Sequence, residues 1–264
     1  KAIFTQRDYQ IIPEYVGQGR ESDVKGAVQK LLSFYNCDII MGYVSYKIIP
    51  EIIPVIERRE KLGFFFEFGE SLPLLNYVSP NIFHSSYQLW QSEYALGYCA
   101  QKNFGDKGAV IMSPYDGGYH LASSFRYGAI AAGSKLIDFH IPHFDQGNPH
   151  ETKLDGLLQT IADNPPAYLH ALFSGTQAKE FLTAFHNAGL DKKVPLVLSE
   201  AMCFEDVLDS VSGYPMSFYA SSQWTREIDN DLNRKFVRAF EAKFGRPADV
   251  FALLGFEAGL TLKE

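Results

Sequence analysis

The chain has 264 residues, 46% hydrophobic and 21% charged, with a formal net charge of -7. This composition fits a folded protein of one large or two modest domains and excludes a disordered, collagen-like or disulfide-stapled chain. The acidic balance argues against a nucleic-acid surface, which needs clustered Lys and Arg to displace counterions, and no run approaches the ~18 uninterrupted apolar residues of a membrane helix.

In chain order, Gly17-Gln18-Gly19 lacks the third glycine of a dinucleotide fingerprint and reads as a turn. From Ser22, taken as an N-cap, Val24, Ala27, Val28, Leu31, Leu32 and Tyr35 recur at three- and four-residue steps and predict a helix. The runs CDIIM and LGFFFE predict buried strands, followed by loops at Gly42 to Tyr46 and Phe68 to Pro73. The pattern breaks over the polar-aromatic segment Asn76 to Gln88, and Gly97 to Asp106 is read as the end of the next helix. A third strand, GAVIM, leads into a loop at Ser113 to Gly118. Leu154, Leu157, Leu158 and Ile161 predict a helix, YLHAL a strand with a loop at Phe173 to Thr176, and Ala178, Phe181, Leu182 and Phe185 a helix stopped by Gly189. VPLVL precedes a loop at Ser199 to Cys203; a second break spans Tyr214 to Thr225. Ile228, Leu232, Phe236 and Phe240 mark a helix closed by Gly245 and Pro247, and Val250 to Leu262 one more.

This alternation predicts an α/β protein with parallel sheets covered on both faces. The two breaks are read as places where the chain passes between lobes: 1–100 with 224–264 in the first, 104–222 in the second. In such sheets the loops after the strands all lie along the carboxyl edge, so function is expected there.

No GxSxG, GxxxxGK[ST], HExxH or GxGxxG occurs. Cys37, Cys99 and Cys203 are too few and scattered for a disulfide framework or a CxxC metal site. Asp138, His140, His143, Asp145, His150 and Glu151 form the densest set of potential metal ligands, but Pro142, Gly147 and Pro149 make the run a solvated loop, so no metal is expected. Glu70 and Glu200 each follow a predicted buried strand; they are read as helix-capping groups, as partners for a ligand's ammonium, or as an acid–base pair. Tyr43, Tyr46, Phe68, Tyr115, Tyr119 and Phe173 flank the same loops. Core packing is the default for the phenylalanines, and Tyr46 and Tyr115 are the better pocket walls.

Three passages, IIMGYVSYKIIPEIIPVIERREKLGFFFEFGES, GDKGAVIMSPYDGGYHLASSFRYGAIAAG and FVRAFEAKFGRPADVFALLGFEAG, resemble the periplasmic solute-binding proteins of ABC transporters, in the branched-chain amino acid and amide-binding family. The resemblance implies the type I periplasmic-binding fold: two doubly wound parallel-sheet lobes joined by crossover hinges and closing on a ligand. It places ligand contacts on Ser45, Tyr46, Gly69, Glu70 and Ser71 of the first lobe and on Glu200 of the second, with Tyr115, Phe173 and Ser174 completing the expected set. Tyr46 stands where a second serine is usual and Glu70 where a small neutral residue is usual; Gly117-Gly118 replaces Tyr-Gly, leaving Tyr115 or Tyr119 as the aromatic wall. The implied partners are a small polar organic ligand and the membrane permease of an ABC transporter, with no cofactor, no nucleic acid and no catalytic residue. The implied location is periplasmic or lipoprotein-anchored, after removal of a leader outside this chain. Lys1 enters at what resembles the family's second strand and Glu264 stops within a helix, so both ends are expected to be incomplete. Two other functions compete: a sensory or regulatory domain on the same fold, and an α/β hydrolase using Glu70 and Glu200.

Overall fold

A computed structural model describes residues 9–17, 19–72, 78–145 and 148–262, without the side chains of 143–145, 148–153 and 155. Pro73 and Asn76, which bound two of the expected segments, lie outside the described residues. The chain divides into two compact units, Lys1–Tyr87 with Trp224–Glu264, and Gln88–Gln223.

In the first unit, helix α1 (Glu21–Ser33) buries Val24, Val28 and Leu32, spaced four apart on one face. Its N-cap is Arg20, which makes no side-chain cap bond. The expected cap Ser22 sits inside the first turn, next to Glu21 and Asp23, whose charges complement the N-terminal dipole. Strand β1 (Ile39–Tyr43), helix α2 (Ile49–Glu57) and strand β2 (Leu62–Glu67) follow. Ile49, Ile52, Ile53 and Ile56 of α2 pack with the α1 stripe, Ile40 and Phe65 in one core. Strand β3 (Ile82–Ser86) completes a parallel sheet in the order β1-β2-β3. It lies within the segment read from sequence as a break. Only Ile82 and Phe83 of IFHSS are apolar, so no hydrophobic run announces it. The free edge of β2 supplies the pairing, and Phe64 stacks on its register partner Phe83 at 4.9 Å.

The second unit opens with helix α3 (Leu89–Phe104), strand β4 (Gly108–Met112) and helix α4 (Leu121–Ala131). The expected first-lobe range ended at residue 100, inside α3; the whole helix instead packs along α4 within this unit. Within the segment Gly97 to Asp106 read as the end of this helix, α3 stops at Phe104 with Gly105 as its C-cap. Gly97 itself lies in the helix interior, against the backbone of Phe125. Strand β5 (Ile137–His140) and the antiparallel pair β6 (His143–Asp145) and β7 (Asn148–Lys153) occupy the run read as a loop, because backbone pairing along β4 and within the hairpin outweighs its polar composition. Helix α5 (Asp155–Asp163), strand β8 (Tyr168–Leu172), helix α6 (Gly175–Asn187), strand β9 (Leu196–Leu198), helix α7 (Glu205–Ser210) and strand β10 (Phe218–Ala220) complete the unit. Strand β10 falls in the second expected break; its three residues form a short parallel edge beside β9.

The five-stranded sheet runs β10-β9-β8-β4-β5, all pairs parallel. Alternation along each strand splits its side chains between two faces. Ala109, Ile111, Leu169, Ala171, Leu196 and Leu198 join α5, α6 and α7 in one core. On the alternate positions, His170 stacks on Phe125 of α4 at 3.8 Å, and the Tyr168 hydroxyl donates to Gln101 of α3 at 3.0 Å. Helices thus cover both faces, the doubly wound arrangement the sequence predicts.

The chain returns to the first unit with helices α8 (Asp231–Phe244) and α9 (Val250–Thr261). Each is capped as composition suggests: Asn230 accepts from the Asn233 N–H at 2.8 Å, and Asp249 from that of Ala252 at 2.6 Å. Ile228 lies outside α8, because the buried Asn233 amide donates to the carbonyls of Arg226 and Ile228, each at 3.0 Å, holding that segment non-helical. Among the described residues, no helix is long and apolar enough to cross a membrane.

Candidate functional site

In the second unit the chain passes from β4 to β5 on one side and then returns past β4 to β8 on its other side. The direction of strand addition therefore reverses at β4, and open α/β sheets bind ligands beyond the carboxyl ends of the strands at such a point, here β4 and β8. The loops at this point carry Ser113, Tyr115, Asp116, Phe173 and Ser174. Ser113 Oγ donates to the Asp116 carboxylate and accepts the Asp116 N–H at 2.9 Å. Ser174 adds a side-chain hydrogen bond to the same carboxylate; burial nonetheless pushes the Asp116 carboxyl above its ordinary range. Tyr115 is 61% exposed, meets Tyr119 edge-to-face at 5.7 Å and accepts the Tyr119 hydroxyl proton at 3.0 Å. Phe173 requires a correction: its side chain is wholly buried in the core, stacked on Phe181 at 4.9 Å, and cannot form a pocket wall. The apolar strand run continues one residue past the sheet pairing, which is why Phe173 still points inward.

Glu200 begins a short 3-10 turn after β9 and is 5% exposed. Its Oε1 accepts from Ser222 Oγ at 3.0 Å and the Gln223 N–H at 2.8 Å, tying the end of β9 to the segment after β10. The neighbouring Cys203 thiol is pushed up to about 12, first by burial and then by the charges of Glu200 and Glu93, which leaves it an inert thiol.

In the first unit the loops after β1 and β2 carry Ser45, Tyr46, Gly69, Glu70 and Ser71. The Tyr46 ring is 9% exposed and lies on His84 at 5.0 Å. Its N–H donates to Glu67 Oε2 at 3.0 Å. Gly69, at φ 87, takes a left-handed conformation that turns the chain at the end of β2. That turn presents Glu70, whose Oε1 accepts the Tyr43 hydroxyl at 2.9 Å. Tyr43 itself is the last residue of β1, half-exposed, 5.5 Å from the Phe68 ring. Phe68 also meets Tyr87 and Phe251, and the Tyr87 hydroxyl donates to Glu257 at 2.7 Å. Ser71 is 1% exposed, and its hydroxyl has no hydrogen-bond partner among the described residues.

Glu67 was not among the residues singled out from sequence, although a carboxylate ending the buried run LGFFFE is itself the signal. It is 2% exposed and accepts from the Tyr46 N–H and from Ser86 Oγ at 3.3 Å. Burial, above all, and then the nearby Glu70 raise its pKa from 4.5 to about 7 against the effect of both hydrogen bonds. The folded state thus binds this proton more tightly than the unfolded chain does. Its stabilising contribution is complete below the unfolded value of 4.5 and is lost as pH rises through about 7. Glu67→Gln, which keeps the shape of the protonated acid, is expected to remove up to about 3 kcal/mol of this pH dependence. Melting curves from pH 4 to 8 check it; equal slopes for variant and wild type would refute the shift.

Asp138 and His140 lie on β5, whereas the side chains of His143, Asp145, His150 and Glu151 are outside the described residues. Among the described residues no group of three His, Cys, Asp or Glu side chains is placed to hold a metal ion.

A parallel sheet with a topological switch between β4 and β8, and polar loops along the carboxyl edges of both sheets, define an open parallel-sheet α/β protein. The chain belongs to the periplasmic binding protein family, whose model matches residues 17–264. No curated protein sequence matches it. Among solved structures it is similar to the benzoate complex of an ABC-transporter solute-binding protein from R. palustris, with a TM-score of 0.75 at 20% identity over 93% of this chain and 66% of that one. It is likewise similar to the leucine-binding protein LivK of Thermotoga maritima (TM-score 0.70, 14% identity, 93% of this chain, 68% of that one). The isoleucine complex of LivJ from Streptococcus pneumoniae gives a TM-score of 0.71 at 13% identity, over 93% of this chain and 68% of that one. These likenesses establish the type I periplasmic-binding fold, and the chain spans about two thirds of the length of these proteins.

Proposed function

We propose that this chain is the ligand-binding body of an extracytoplasmic solute-binding protein, which captures a small polar organic molecule between its two units and presents it to the permease of an ABC transporter. The family match over nearly the whole chain carries this reading. On this reading Ser45, Gly69, Glu70 and Ser71 of the first unit, and Tyr115, Ser174 and Glu200 of the second, contact the ligand, and no residue performs catalysis. The two crossings of the chain between units, near Tyr87 and Gln223, serve as hinges. The location is periplasmic or lipid-anchored.

Mass spectrometry of protein denatured after native purification should release a small organic compound. Adding that compound back at saturation should lower the radius of gyration in small-angle scattering, because a ligand bound by both units favours the closed population. A radius unchanged by a compound that binds would remove the closure mechanism. Fractionation of the full-length protein with cytosol, without a leader, would instead favour a regulatory ligand-binding domain.

A further inference from the structure

Among the described residues, the carboxyl-edge loops of the first unit (43–48, 67–72 and 86–87) carry two carboxylates, Glu67 and Glu70, and one basic side chain, Lys47. The corresponding loops of the second unit (113–120, 173–176, 199–204 and 221–223) carry Asp116 and Glu200 and, apart from His120, no cationic residue. Of the first-unit carboxylates Glu67 is buried and Glu70 partly exposed, so a ligand carboxylate beside Glu70, such as the benzoate named with a similar structure, would meet like charge, a strong negative selector.

Three groups at the first edge suit the opposite charge. Glu70 uses one oxygen to accept the Tyr43 hydroxyl, and a carboxylate has about four acceptor positions. Tyr43, whose hydroxyl Glu70 holds, is 49% exposed and supplies an aromatic face at this edge. Ser71, in the same loop as Glu70, is a buried hydroxyl without a partner among the described residues, a group that ordinarily has one.

We propose that the first unit's carboxyl edge selects a cationic nitrogen group, an ammonium or amidinium, bound by Glu70 and Ser71 beside the Tyr43 ring, and rejects a carboxylate there. This rests on the solute-binding reading above and assigns its substrate class. Glu67, buried behind Tyr46, tunes the site without touching ligand.

Calorimetric titration with shape-matched compounds of opposite charge tests it: benzamidine against benzoate, leucinamide against leucine, and isoamylamine against isovalerate. Wild-type protein should bind the cationic member of at least one pair about tenfold or more tightly than its partner, and Glu70→Gln should erase most of that preference. Glu70 is partly exposed, so the variant should keep the wild-type melting temperature. Tighter binding of the carboxylates, or a cation preference that survives Glu70→Gln, overturns the assignment and leaves solute binding standing. Binding of no compound of either charge counts against both readings for small organic ligands.

Discussion

Gly128→Ala and Gly97→Ala are expected to destabilise the second unit by about 3 kcal/mol each, although glycine to alanine inside a helix ordinarily gains about 1 kcal/mol. A Cβ on Gly128 would lie 1.8 Å from the Tyr94 carbonyl oxygen, and one on Gly97 would lie 2.0 Å from that of Phe125. Both obstacles are backbone, so no side-chain rotation relieves them, and α3 and α4 must separate. Separation loosens the contacts of Leu96, Ala100, Phe125 and Ala129, all buried. Because the first substitution already forces the helices apart, the second should cost less in the double variant than alone. Urea denaturation of the two single variants and the double checks this. Stabilisation by either single change would mean that the helices do not approach so closely.

His170→Leu is expected to cost about 3 to 5 kcal/mol, Glu93→Leu less, and the double variant less than His170→Leu alone. Both side chains are fully buried, with Glu93 Oε2 3.1 Å from His170 Nε2. The contact is close but not aligned as a hydrogen bond, and the carboxylate has no other hydrogen-bond partner among the described residues. Removing His170 strands the Glu93 carboxylate in a region that water does not reach, whereas removing Glu93 leaves the imidazole its contact with the Val197 carbonyl at 3.2 Å. Removing both leaves an apolar site, with the Phe125 ring that now stacks on the imidazole free to pack on leucine. A double-mutant cycle in denaturant measures the coupling; additive losses would show that each residue acts alone.

The location of these two features explains why composition misses them. His170 reads from sequence as a packing or surface residue in an apolar run, and nothing in YLHAL or in SEYAL signals that a glutamate from α3 meets it. The partner is supplied by a helix 77 positions earlier, brought over the sheet by topology. Likewise, the segment Gly97 to Asp106 reads as the end of this helix, as it is, but nothing in the sequence marks Gly97 as a contact point. Here the glycine is spent on backbone approach to α4.

Periodicity and turn chemistry determine much of this protein without any tertiary information. The strands LGFFFE, GAVIM and YLHAL fall on β2, β4 and β8 as written, and the stripe Ala178, Phe181, Leu182 and Phe185 is the buried face of α6. Long apolar runs and helical stripes are local properties, and burial on two faces or one leaves a direct trace in them. The family follows from the collinear sum of these elements. Strands β3, β5 and β10 leave no such trace, because each is a short segment without a long apolar run, held by the backbone of a stronger neighbour. The same limit applies at the candidate site. Sequence places Glu70, Ser71, Tyr115 and Glu200 on carboxyl-edge loops. Only the tertiary structure turns the Tyr46 and Phe173 rings inward, joins Asp116 to Ser113 and Ser174, and sets Glu67 behind the loop that Glu70 caps. Side-chain direction at a strand end depends on which neighbour the backbone meets, and that meeting is a long-range event.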